Sequence, residues 1–113
     1  MKEMEFIIKP EKMENLNRIL NNCGATGVTV TYLSGYGHQK GQKQVYTRDE
    51  VTNGTLLPKL SYRIVVPDDK VEKIINSVVE ELNTGSFGDG KIFVRNIVEV
   101  VQIRTKLRGL DAL

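Results

Sequence analysis

The feature that most constrains this chain is a strand-to-helix step that it makes twice. Residues 2–8 read as extended, Ile8-Lys9-Pro10-Glu11 breaks the run, and Met13, Leu16, Ile19, Leu20 and Cys23 then recur at helical spacing up to Gly24. Further on, Leu60 to Val66 reads as a strand and Val66-Pro67-Asp68 repeats the break. Val71, Ile74, Ile75, Val78, Val79 and Leu82 follow at i, i+3, i+4, i+7, i+8 and i+11. Proline suits a first helical turn because its missing N–H has no partner there, and glycine suits the left-handed residue that ends a helix. Both helices end on that signal, in Asn22-Cys23-Gly24 and in Asn83-Thr84-Gly85.

Between and after these units lie further strands. Val28, Val30 and Tyr32 alternate with threonines and a leucine towards Gly35 and Gly37; Lys91-Ile92-Phe93-Val94 is a strand, and a last one is expected over roughly Val98 to Arg104. The order is βαβ, long loop, βαβ. It predicts an α+β fold of the ferredoxin-like, split βαβ kind, one domain over residues 1–113, with both helices on one face of the sheet. Ile64-Val65-Val66, Ile92-Phe93-Val94 and Val100-Val101 are apolar on both sides of their strands, so the other face is expected to be covered by self-association. Residues 38–56 follow neither period and form a loop much longer than the usual four to six residues or so, a length typical of functional or disordered loops.

Composition then removes several function classes. With 40% hydrophobic and 27% charged residues of interleaved sign, the chain has the balance of a folded globular protein. Its net charge of +2 comes from scattered Lys and Arg, which excludes the basic patch of a nucleic-acid binder. Cys23 is the only cysteine, so no intrachain disulfide and no multi-thiolate zinc site can be built, which fits a reducing, cytoplasmic setting. MKEMEFIIKPEKM lacks the apolar core of a signal peptide, and no stretch approaches the roughly 20 apolar residues of a spanning helix. No membrane insertion is expected, and any association with a membrane is peripheral.

Chemistry concentrates in Thr84-Gly85-Ser86-Phe87-Gly88-Asp89-Gly90-Lys91, three glycines in six residues between a helix and a strand. Glycines let a backbone turn its N–H groups on an anion, and Lys91 adds charge, so the segment is a candidate phosphate cradle. Taken alone, it fits an ordinary glycine-rich turn equally well.

The string TGSFGDGKIFV resembles the nucleotide-binding loop of the PII nitrogen-regulatory family. IIKPEK, GVTV, Gly37 with Gln39-Lys40-Gly41, LPK at 57–59, VVPDD at 65–69 and IRT at 103–105 follow in that family's order, so the resemblance spans the chain. It implies a homotrimer with adenine-nucleotide pockets between subunits, taking ATP, ADP or AMP. Gly35, Gly37, Phe87, Gly88, Asp89, Gly90 and Lys91 would line the pocket, with Arg104 reaching the phosphates from a neighbour. Gln39 would help hold Mg²⁺ with ATP and 2-oxoglutarate, and Lys59 would pair with a 2-oxoglutarate carboxylate. The partners implied are an ammonium channel or other transporter, or a cytoplasmic enzyme, engaged through residues 38–56.

Three pocket positions depart from the family pattern. His38 stands where an arginine usually precedes the glutamine, Gln102 stands at the first arginine of an Arg-x-Arg-Thr ending, and Arg63 stands where a glutamate is usual. Losing charged contacts worth about 1.5–3 kcal/mol each is expected to shift preference from ATP towards ADP or AMP, unless Arg63 or Arg108 replaces one of them. Tyr46 is not at the loop tip, so nucleotidylation of a tyrosine is not expected, and the charges Lys40, Lys43, Arg48, Asp49 and Glu50 suit a segment that orders on a partner. Two rivals remain: a nucleotide sensor indifferent to 2-oxoglutarate, and a small enzyme of the same fold. The second lacks any recognisable nucleophile and base, with one histidine and one cysteine that reads as a core thiol.

Overall fold

A computed structural model describes residues 1–35 and 56–113. Strands β1 (Lys2–Ile8), β2 (Thr29–Gly35), β3 (Leu57–Val66) and β4 (Lys91–Asn96) form one antiparallel sheet in the order β2-β3-β1-β4, with helices α1 (Met13–Asn22) and α2 (Val71–Leu82) joining β1 to β2 and β3 to β4. This is the ferredoxin-like arrangement expected from the repeated step. The two steps close alike: a 3₁₀ turn precedes each helix, with Lys12 N–H donating to Lys9 O at 3.0 Å and Lys70 N–H to Pro67 O at 3.1 Å.

The core lies between the helices and one face of the sheet. Met4, Phe6 and Ile8 of β1 and Leu60, Tyr62, Ile64 and Val66 of β3 alternate onto that face, where they meet Leu16, Ile19 and Leu20 of α1 and Val71, Ile74, Val78 and Leu82 of α2. Tyr62 is buried to its hydroxyl, which donates to Asn17 Oδ1 at 2.9 Å and so ties α1 to the central strand.

The other face differs from the apolar surface expected. Register places Glu3, Glu5 and Ile7 of β1 there beside Ser61, Arg63 and Val65 of β3 and Phe93 and Arg95 of β4. Its centre is a polar ladder: Arg95 bridges Glu3 at 3.2 Å and Glu5 at 2.9 Å, and Ser61 Oγ donates to Glu5 at 2.7 Å. Ile7, Val65 and Phe93 flank this ladder, so the apolar side chains expected of β3 and β4 on this face are there, but Ser61, Arg63 and Arg95 share it and β1 adds acids.

The strand expected over Val98 to Arg104 is not part of the sheet. After Ile97 N–H donates to Met1 O the chain leaves β4, and a single bridge pairs Val101 with Arg108 around a turn closed by Lys106 N–H to Gln102 O at 2.8 Å. Val98 to Ile103 are β-branched and apolar enough for a strand, but apart from that bridge they meet no ladder within one chain: Val98 and Ile103 are 95% and 94% exposed.

Candidate functional site

The connection from α2 to β4 is a latched loop. The Asp89 carboxylate accepts from Thr84 N–H at 2.7 Å and from the Thr84 hydroxyl at 2.5 Å, and Gly85 N–H donates to Asn83 Oδ1 at 2.8 Å. The Thr84 hydroxyl bond, followed by the backbone bonds of Thr84 and Gly85 and the charge of Lys9, holds the Asp89 carboxyl below its ordinary range despite partial desolvation. Asp89, expected to line a ligand, has its oxygens engaged inside the loop, where they bind Thr84.

Two glycines in the loop are there for different reasons. Gly88 has a φ of +90°, open to glycine alone at little cost. Gly90, at +104°, also runs against β1 so closely that a Cβ would lie 2.0 Å from Ile7 O. The loop is thereby pressed onto the end of the sheet, next to Lys59. Lys59 Nζ donates to Gly88 O at 3.5 Å, a long contact that leaves most of the ammonium's capacity free. Desolvation first, and the nearby Lys9 second, push the Lys59 ammonium below its ordinary range. A half-buried lysine repelled by a second lysine, beside a glycine loop, is a site that an anion would relieve.

A family model for nitrogen regulatory protein P-II matches residues 1–107. Three relatives of that name agree with it: the nitrogen regulatory protein P-II of Bradyrhizobium diazoefficiens is 44% identical over 113 residues, all of both chains. That of Azospirillum brasilense is 42% identical over the same length, and P-II 1 of Escherichia coli K12 is 42% identical over 105 residues, 93% of each chain. The chain belongs to the P-II family. That family is one of regulatory signalling proteins rather than enzymes, and among the described residues no group of three or more His, Cys, Asp or Glu side chains is placed to hold a metal.

Within this P-II chain the expected ligand residues fall into two groups. Lys59, Gly88, Gly90 and Lys91 gather at one end of the sheet with Gly35, whose Cα lies beside the Lys59 stem; a Cβ there would meet Lys59 Cγ at an ordinary 3.6 Å. Arg63 and Gln102 line a second concavity of about 550 Å³ with Glu3, Gly27, Thr29 and Val65. About 13 Å of strand separates Lys59 from Arg63, four residues at the usual rise. Phe87, next to Gly88 in the loop, is 56% exposed, and Arg104 on the tail is exposed. Gly37, His38 and Gln39 lie outside the described residues, as does the loop of 38–56 up to residue 55.

Sequence reasoning missed three parts of this arrangement. The Asp89–Thr84 latch was legible only as turn composition. Ile7 O, the backbone atom that makes Gly90 obligatory, carries no sequence signal. Gln102 accepts from the Thr105 hydroxyl through its side-chain oxygen and so ties the tail turn together. No helix among the described residues is long and apolar enough to cross a membrane.

Proposed function

We propose that this P-II protein binds an adenine nucleotide, ADP, ATP or AMP, in clefts between the subunits of a homotrimer, and that the bound state alters how residues 38–56 engage a transporter or an enzyme of nitrogen metabolism. The observation that carries the reading is the end of the sheet where Lys59, depressed by burial and by Lys9, stands against a loop whose Gly88 and Gly90 hold positive φ. Phosphate oxygens there would be met by Lys91 and backbone N–H groups of Gly88 and Gly90, with the Lys59 ammonium beside them for a carboxylate. The chemistry is reversible binding; no bond in the ligand breaks.

Trimer assembly is supported by what one chain leaves open. Val98 and Ile103 stand almost fully exposed on the tail, and the two groups of ligand residues lie apart on one chain, so a neighbouring copy would both cover the tail and complete the cleft with Arg104. Gln39, as the Mg²⁺ ligand, and Lys59, as the 2-oxoglutarate contact, extend the same reading, as do Gly37 and His38 at the phosphates. The protein would be a single domain working in the cytoplasm, reaching a membrane only through a transporter such as an ammonium channel.

A second reading is favoured by one observation: Gln102 is neutral and bonded to Thr105, so this position brings no cation to a phosphate. A sensor of ADP or AMP, indifferent to 2-oxoglutarate and serving another transporter, fits that loss. Calorimetric titration with ATP, ADP and AMP, each with Mg²⁺ and with or without 2-oxoglutarate, separates the two. Cooperative binding of MgATP and 2-oxoglutarate supports nitrogen sensing of the usual kind; ADP or AMP binding unaffected by 2-oxoglutarate supports the second. Absence of any nucleotide binding would remove both.

A further inference from the structure

An exposed aromatic ring and an open apolar hollow lie close together at the end of the sheet. The hollow, of about 400 Å³, runs between α2 and the sheet, with Phe6, Ile8 and Ile92 as its floor and Ile75, Val79 and Leu82 as its wall. Register puts Phe6 opposite Ile92 on the helix-covered face, so the hollow opens on the other side of the sheet from the polar ladder. One end of its rim is made by Asn83, Asp89 and Gly90, the two stems of the loop from α2 to β4. Phe87 sits between those stems. It is the loop's one large apolar side chain, it is 56% exposed, and it does not line the hollow. Only two residues of chain separate it from Asp89 at the rim, a span of at most about 7 Å. A lone surface phenylalanine calls for no explanation; one beside an unfilled apolar hollow does.

What keeps the ring out is the latch. Among the described residues the loop's side-chain hydrogen bonds stay inside it: Asp89 accepts twice from Thr84, Asn83 accepts from Gly85 N–H, and the Thr84 hydroxyl accepts from Ser86 N–H at 3.3 Å. The one hydrogen bond from Gly85–Gly88 to the rest of the fold is the long contact of Gly88 O with Lys59. Gly85 and Gly88 flank Phe87 at φ of +76° and +90°, and a Cβ on Gly85 would touch nothing within 4 Å. The segment can therefore swing on glycine torsions while Gly90 stays pressed on Ile7. The Asp89–Thr84 bonds are exposed to water, which weakens their net contribution, and burial of the exposed half of a phenyl ring is of the same order. Two arrangements of similar free energy follow, and the latch decides between them.

We propose that this loop is a two-state strap: latched by Asp89 on Thr84 it holds Phe87 out, and released it closes with Phe87 in the hollow between α2 and β4. Closing carries Gly88 away with the ring and breaks its contact with Lys59, so the closed strap dismantles the end of the sheet that the latched strap assembles. A ligand held by the loop's N–H groups selects the latched form, and its affinity is reduced by whatever fraction is closed. The strap stands on the loop and the hollow alone; only the identity of the ligand that keeps it latched rests on the nucleotide reading above.

The chain has no tryptophan, so Phe87→Trp makes a single emission reporter in the full chain. In that background the indole should emit, and be quenched by acrylamide, as a group in water. Adding Asp89→Ala, which removes the latch, should shift emission to the blue and lower quenching several-fold. Adding Val79→Glu to both, at a wall position already 48% exposed and so tolerant of charge, should return the indole to water. Thermal unfolding of each variant is the folding control. With the native ring, Asp89→Ala should move the methyl NMR signals of Ile75 and Ile92, and should leave them in place in a Phe87→Ala chain. Emission unmoved by Asp89→Ala overturns the strap. So does a blue shift that survives Val79→Glu, which seats the ring elsewhere, or one that disappears on dilution, which seats it on a second copy. Saturating ADP should drive the Asp89→Ala reporter back to the exposed emission. If ADP binds that chain and leaves the indole in the hollow, the strap does not govern the site and the proposal falls. If ADP does not bind even the wild type, the nucleotide reading falls, and the response to Val79→Glu still decides the strap.

Discussion

A Cβ placed on Gly90 would lie 2.0 Å from the carbonyl oxygen of Ile7, with a φ of +104° that side chains rarely adopt. Backbone on both sides of the contact leaves no flexible atom to yield. Gly90→Ala must therefore push the loop off β1 or strain the sheet end, and the expected cost is about 2–5 kcal/mol from overpacking and backbone strain together. Urea unfolding at matched protein concentration measures it. A midpoint equal to the wild type's would mean that the loop is not held against Ile7 in solution.

The Asp89 latch sets the shape of the same loop without bearing on the core. Asp89→Asn keeps the side chain's size but removes the charge that Thr84 hydrogen-bonds, through both its N–H and its hydroxyl. Nucleotide affinity should fall about tenfold while thermal stability changes little, because the loop is exposed and its ordering would then be drawn from binding energy. Asp89 is held below its ordinary range, so in the wild type this latch persists as pH falls through the usual carboxylate range and opens only below it. Equal ADP affinity for the two proteins would remove the latch from the site.

How far the chain could be read before folding depended on which surface each residue was answering to. The helices and β1 to β3 were legible because Leu16, Ile19, Leu20 and Ile74, Val78, Leu82 answer to one core at one period. Val98 to Ile103 have a strand's alternation, yet their apolar side chains answer to nothing in their own chain, so period alone misassigned them. Glycines at 88 and 90 pointed to the loop, but the reason for Gly90 lies in a backbone oxygen some eighty positions away, and backbone has no sequence signature. Arg63 and Gln102 were legible as departures from a family pattern; that they face one concavity is a fact of sheet register and tail path.

Acid should find the polar ladder on the open sheet face. The Ser61 hydroxyl, and after it Arg95 and the charge of Arg63, hold the Glu5 carboxyl below its ordinary 4.5 in spite of partial desolvation. A carboxyl lowered in the fold stabilises above its unfolded value, and that stability disappears as pH falls through the lowered value. Ser61→Ala should cost about 1–3 kcal/mol at neutral pH, since it leaves a part-buried carboxylate short of a donor. The gap from wild type should narrow as Glu5 becomes protonated in both. Denaturation midpoints across pH 7 to 3 test this, and a gap that stays constant would mean that Ser61 acts by packing alone.

Lys59 gives the most direct reading of whether an anion enters the site. Its ammonium is lowered from 10.5 by desolvation first and by Lys9 second. The unfolded chain therefore holds the extra proton between the two values, and stability rises with pH across that window. Lys9→Gln removes only the second cause, so it should raise the Lys59 value part of the way back. A bound phosphate should raise it further, because an opposite charge beside a half-buried ammonium favours the protonated form. NMR of Lys59 Nζ and Cε should accordingly show a titration below 10.5 in the free protein, moved upward by saturating ADP and unmoved by adenosine. An equal shift with both ligands would attribute the effect to altered packing around Lys59, and no shift with either would place the phosphates away from the glycine loop.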